Sequence, residues 1–145
     1  MDLAAKEWKP LIEKNDPDAE FRFGWLLWTN VLGPNRELEA IHLFRKAAEQ
    51  GQPKALLILG DLYYQSPNNP TWQVKNAPFA KDVEKALGFY LRAQKTAYYP
   101  PEKKAVEYVL PKIKAEIQPQ RVRAAEIEAD AWKPVIVGRE PRRLL

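Results

Sequence analysis

Cysteine is absent from this 145-residue chain, and histidine occurs once, at His42. Disulfides, thiolate metal sites and cysteine nucleophiles are therefore excluded, and so is any site that needs two imidazoles. Glycine is scarce, with 6 residues and no cluster. No phosphate-cradling loop, dinucleotide fingerprint or nucleophile elbow can be drawn from them. No apolar run reaches the length of a membrane span. The start, Met1-Asp2-Leu3-Ala4-Ala5, lacks the basic residues and apolar stretch of a secretory leader, so none is expected.

Charge of one sign is also in short supply. The 23 basic side chains against 19 acidic ones leave a net +4. Residues 1–52 carry 7 basic and 9 acidic groups, residues 53–117 carry 10 and 6, and residues 118–145 carry 6 and 4. That spread describes a solvated surface. With no dense basic stripe and no groove-reading motif, nucleic acid is not an expected partner. The acidic pairs Glu37 and Glu39, Asp82 and Glu84, and Glu126 with Glu128 and Asp130 are local in sequence. Helix-terminal charge and surface solvation account for them without a catalytic cleft. No catalytic residue, metal ligand or cofactor is expected. A hydrophobic fraction of 46% with 29% charged residues nevertheless describes one globular domain able to bury a core.

What the chain does have is self-similarity. Ala19, Phe23, Gly24 and Leu27 return 36 positions later as Ala55, Leu59, Gly60 and Tyr63, and Pro17 returns as Pro53. The same offset pairs Ala4, Trp8, Leu11 and Asn15 with Ala40, Phe44, Ala47 and Gly51. A third copy, Ala86, Tyr90 and Ala93, follows Ala40, Phe44 and Ala47 at an offset of 46. The surplus lies in residues 65–81, a stretch whose prolines and asparagines mark it as an inserted loop.

Each copy reads as two helices. Ala19, Phe23, Leu26 and Leu27 fall at helical spacing until Gly33-Pro34-Asn35 breaks the chain. The second helix runs from about Glu37 to Gln50, with Gly51 as its stop. Asp16 or Asn15 is placed to cap the helix that opens at Pro17. Small residues at Ala19, Ala40, Ala47 and Gly24 allow close helix approach. Beyond Tyr98-Tyr99-Pro100-Pro101 the signature fades. Glu102 to Leu110 is helical in pattern, and Pro111 either kinks that helix or opens a short one to Ile117. A last helix starts at Pro119, and its end, Trp132-Lys133-Pro134, echoes Trp8-Lys9-Pro10.

Glu39 to Gly51 resembles the second-helix signature, and Leu59-Gly60-Asp61-Leu62-Tyr63-Tyr64 the first-helix signature, of the SEL-one-like repeats, relatives of the tetratricopeptide repeat. The resemblance implies an all-α, right-handed solenoid of two to three helical hairpins over residues 2–97. Residues 98–134 would form C-terminal cap helices and residues 135–145 a tail. Gly33-Pro34-Asn35 and the long insertion replace the family's glycine-rich loop, Pro10 interrupts the first helix, and Gln94-Lys95-Thr96 stands where small residues are usual.

The resemblance also implies a non-catalytic protein–protein interaction module, an adaptor or scaffold. Small bacterial members act as immunity proteins that bind and neutralise a toxic effector, sited in the cytoplasm or, had a leader been removed, the periplasm. The rival class is a hydrolase acting on cell-wall or antibiotic-like small molecules. In a tetratricopeptide-like register the positions one and four after the motif glycine face the concave side. These are Trp25 and Trp28 beside Gly24, and Asp61 and Tyr64 beside Gly60, with Phe21 and Leu57 three before each glycine. The expected partner surface is therefore Phe21, Trp25, Trp28, Leu57, Asp61 and Tyr64, joined by Trp72 and Phe79 of the insertion. Burial of the same groove by the last helix or the loop is the alternative.

Overall fold

The computed structural model describes residues 9–65 and 78–135. A helical turn at 9–13 precedes six helices: α1 (Pro17–Trp28), α2 (Glu37–Glu49), α3 (Pro53–Tyr64), α4 (Val83–Thr96), α5 (Pro100–Lys114) and α6 (Pro119–Ala131). No strand occurs among the described residues, and none of their helices is long and apolar enough to cross a membrane.

The offset of 36 is written into the backbone. The amide of Asn15 donates to the Ile12 carbonyl at 2.9 Å, and that of Gly51 to Ala48 at 2.9 Å. One residue on, Asp16 donates to Leu11 at 2.9 Å and Gln52 to Ala47 at 3.0 Å. Both turns need a left-handed residue, supplied by Asn15 at φ 59° and Gly51 at φ 85°. Each then feeds a helix that opens on proline. Asp16 Oδ1 accepts from the amides of Asp18 and Ala19 at 3.0 and 3.1 Å, and Gln52 Oε1 accepts from Ala55 at 2.8 Å. Of the two candidate caps before Pro17, the aspartate does the capping, while Asn15 forms the turn.

Packing repeats as well. α1 lies on α2, and α3 on α4, while α2 and α3 join the two pairs. A methyl group on Gly24 would stand 2.9 Å from Phe44 Cε1, and one on Gly60 would stand 2.6 Å from Tyr90 Cε1. Each glycine thus admits the aromatic ring that the sequence places in the corresponding second helix. This geometry is compatible with a helical repeat.

α3 is the centre of the molecule. From Ala55 to Tyr64 every residue is buried, because α2, α4 and α5 all pack against it. α5 is one continuous helix with Pro111 inside, so proline neither ends it nor opens another. Its Val106, Val109, Leu110 and Ile113 are buried on the preceding helices. α6 also lies on α4 but buries only Ala129, and it stops at Ala131. The closing of the core is therefore mainly the work of α5.

Lys95 fixes the end of α6. Its ammonium donates to the carbonyls of Ala129, Asp130 and Trp132 at 2.8, 3.1 and 2.8 Å. A cation at a helix C-terminus satisfies carbonyls that lack intrahelical partners and opposes the helix dipole. Trp132 then has two cations near its ring, with the Arg92 guanidinium 5.6 Å and the Lys95 ammonium 5.9 Å from its ring centre. The chain turns back over Gly51, where Pro134 occupies the space a side chain would need, and the Val135 amide donates to the Glu49 carbonyl at 2.8 Å.

Candidate functional site

The sequence-derived partner surface is divided by the fold. Phe21, Leu57, Asp61 and Tyr64 are buried, and they do not come together on one open groove. Phe21 packs on Phe44 with ring centres 5.6 Å apart. Asp61 accepts a hydrogen bond from the buried Tyr90 hydroxyl, and the Tyr64 hydroxyl donates to Glu116. On α3 the physical reason is that α4 lies along it and α5 also reaches it, so the side that the repeat register left open is covered. Burial first, then the bond to Glu116 and its negative charge, push the Tyr64 phenol up to about 12.

Trp25 and Trp28 are half-buried and rest against the core, with Trp28 6.5 Å from Phe44 between ring centres. Phe79 is a loop anchor. Its ring stacks on Tyr63 at 4.2 Å, its carbonyl accepts from Gln65 Nε2 at 2.9 Å, and the Arg45 guanidinium lies 5.8 Å from its ring centre. Trp72 lies outside the described residues. His42 is exposed on α2.

A concavity lies elsewhere. A groove of about 1030 Å³ runs between the first turn of α1, the turn at 50–54, the α4–α5 connection and the segment after α6. Its aromatic wall is Tyr98, Tyr99 and Trp132. Tyr98 is 82% and Tyr99 70% exposed, the two most exposed aromatic side chains among the described residues. Backbone chemistry holds them out. Tyr99 precedes Pro100, which keeps it extended, at φ −88° and ψ 143°, and makes it the last residue before α5.

The floor of the groove is polar. Glu102 occupies the first turn of α5, where the helix dipole favours negative charge. Its carboxylate is buried, with Oε1 3.8 Å from Lys54 Nζ and Oε2 without any hydrogen-bond donor. Gln50 donates from Nε2 to Glu20 Oε1 at 2.8 Å, and its own Oε1 is enclosed without a donor. Glu20 is itself fully buried, with Lys46 Nζ 3.2 Å from its Oε2. A second concavity of about 600 Å³ lies between the start of α4 and the α5–α6 turn, and there Arg121 and Glu84 pair at 2.6 Å.

Sequence reasoning named Phe21 among the groove residues and missed Tyr98, Tyr99, Glu102 and Trp132. Two signals were available: a tyrosine pair ahead of a proline pair, and a loss of apolar periodicity that left those rings no core to enter. Comparison with protein-family models, with characterised proteins and with solved structures finds no match for this chain.

Proposed function

We propose that this chain is a non-catalytic protein-binding module built on a SEL-one-like solenoid, and that the Tyr98–Tyr99 groove is its contact surface. The observation that carries this reading is the pair of solvent-facing tyrosines on the rim of a large concavity. Exposed aromatic rings beside a groove are costly to hydrate and are favoured interface anchors. Trp132 enlarges the apolar wall, and the buried acceptors below it supply polar contacts that give orientation. Trp25 and Trp28, half-exposed on α1, form a separate contact patch in the same reading.

The narrower form is a bacterial immunity protein that binds and neutralises a secreted toxic effector. It is supported by the resemblance of Glu39–Gly51 and Leu59–Tyr64 to that repeat family and by the small size of the chain. The test is a complex purified from the native host with this chain and its Tyr98→Ala/Tyr99→Ala variant. A one-to-one partner, weakened by roughly thirtyfold or more in the variant, agrees with loss of aromatic anchors worth about 2 kcal/mol. Both rings are exposed, so the helical signal and melting temperature of the variant should stay at wild type. Unchanged partner affinity in the folded variant would move the interface away from this groove.

A further inference from the structure

We infer that the groove receives a single basic side chain of the partner, an arginine in preference to a lysine, with the buried Glu102 carboxylate as its acceptor. This rests on the protein-binding reading and adds the chemistry of what enters. Glu102 is 7% exposed, yet neither of its oxygens accepts a hydrogen bond. Lys54 stands at 3.8 Å from Oε1, close enough to attract and too far to donate. Oε2 is enclosed and has no donor at all. Gln50, also 7% exposed and on the same wall, adds a second enclosed acceptor at Oε1. The one enclosed donor lacking a partner among the described residues, Arg92 Nε, does not line the groove. Acceptors of Glu102 and Gln50 thus go without a hydrogen bond on this wall, although Arg22, Lys54, Lys95 and Lys133 also line it.

Charge decides which donor. Gln50 Oε1 and Glu102 Oε2 are closed off from the groove, so the atom that meets an incoming donor is Glu102 Oε1, and a carboxylate gains most from a cation that also donates. The faces of Tyr98 and Tyr99 offer further attraction to such a group. A guanidinium is planar and carries its N–H donors in a fixed fork, so it can donate to the carboxylate while stacking on a tyrosine face, which an ammonium does less well. The groove also has Arg22, Lys54, Lys95 and Lys133 against Asp18 and Glu102. Lys95 is committed to the end of α6. The other three repel a strongly basic segment, so the fitting ligand is one arginine within a neutral or acidic stretch. Lys54, half-exposed, is free to swing toward those acidic neighbours once Glu102 is occupied.

The experiment titrates the full-length protein with N-acetyl-arginine amide, N-acetyl-citrulline amide and N-acetyl-glutamate amide, following amide resonances by NMR. Citrulline keeps the shape of arginine and three of its five N–H donors but carries no charge and places a carbonyl oxygen where arginine has a nitrogen. Saturable shifts at Tyr98, Tyr99 and Glu102 are expected with arginine, about tenfold or more weaker with citrulline, and absent with glutamate. Glu102→Gln should abolish the preference for arginine over citrulline while the rest of the spectrum stays in place. Because Glu102 is buried, Tyr98→Ala serves as a second variant that cannot disturb the core, and it too should weaken the arginine shifts. Equal affinity for arginine and citrulline, tighter binding of the glutamate probe, or arginine shifts indifferent to Glu102→Gln would each overturn the inference. A partner complex that depends on Tyr98 and Tyr99 alongside a failed arginine titration would retain the interface and discard its proposed ligand chemistry.

Discussion

The ring of Tyr90 fills the space that a side chain at Gly60 would need, with Cε1 2.6 Å from where a methyl group would stand. Tyr90 is fully buried and its hydroxyl is tied to Asp61, so the ring has nowhere to retreat. Gly88, on the other helix of the same pair, has no heavy atom within 4 Å of the equivalent point.

Gly60→Ala should therefore lower stability by about 1–3 kcal/mol, the usual cost of overpacking a helix contact. Gly88→Ala should raise it by up to about 1 kcal/mol, since alanine is the better helix former and meets no clash. Urea unfolding of both variants separates the effects. A Gly60→Ala protein as stable as Gly88→Ala would mean that Tyr90 is not held where the structure places it.

A second contrast concerns the end of the core. Ile113 of α5 is fully buried, whereas Ile127 of α6 is 59% exposed. Ile113→Ala should cost about 2–5 kcal/mol and Ile127→Ala within about 0.5 kcal/mol. Comparable losses by calorimetry would show that α6 covers the core as much as α5 does.

Much of the helical architecture was legible in the residues. Asn15 with Gly51, and Pro17 with Pro53, announced two equivalent turns, because left-handed backbone and a fixed proline φ each permit few residue types. Gly24 and Gly60 announced two close crossings for a similar steric reason. The site was not legible. Repeat register says which side of a helix faces its neighbours within the array, but not what later chain segments lay over it. Leu57, Asp61 and Tyr64 were read as outward on that register. Yet Ala55-Leu56-Leu57-Ile58-Leu59 has no polar side to offer water, and that pattern identifies a helix enclosed all round. Tyr98 and Tyr99 carried no register: their place before a proline pair marked them as outside the core, and the fold set them beside a groove.

The third prediction is a pH dependence. The Tyr64 phenol, pushed up to about 12 from an ordinary value near 10, is protonated more firmly in the folded state than in the unfolded one. Its contribution to stability is complete below about pH 10 and is lost as pH rises through about 12. Tyr64→Phe should remove that dependence. The stability gap between wild type and variant, measured by chemical unfolding, should hold steady up to about pH 10 and narrow above it. A gap that stays constant through pH 12 would mean that the Tyr64 hydroxyl is not held in its buried place beside Glu116.

The hydrogen bond from Val135 to Glu49, the last residue of α2, joins positions 86 residues apart. An open array of helical hairpins unravels from its ends, each unit leaning only on the next. Here the last described residues are fastened to the second helix, and Lys95 and Pro134 hold that fastening in place. Fraying that began at this last described segment would therefore have to break its hold on the second helix first. Such a fastening slows folding, because a distant contact must form, and makes the loss of structure a shared event.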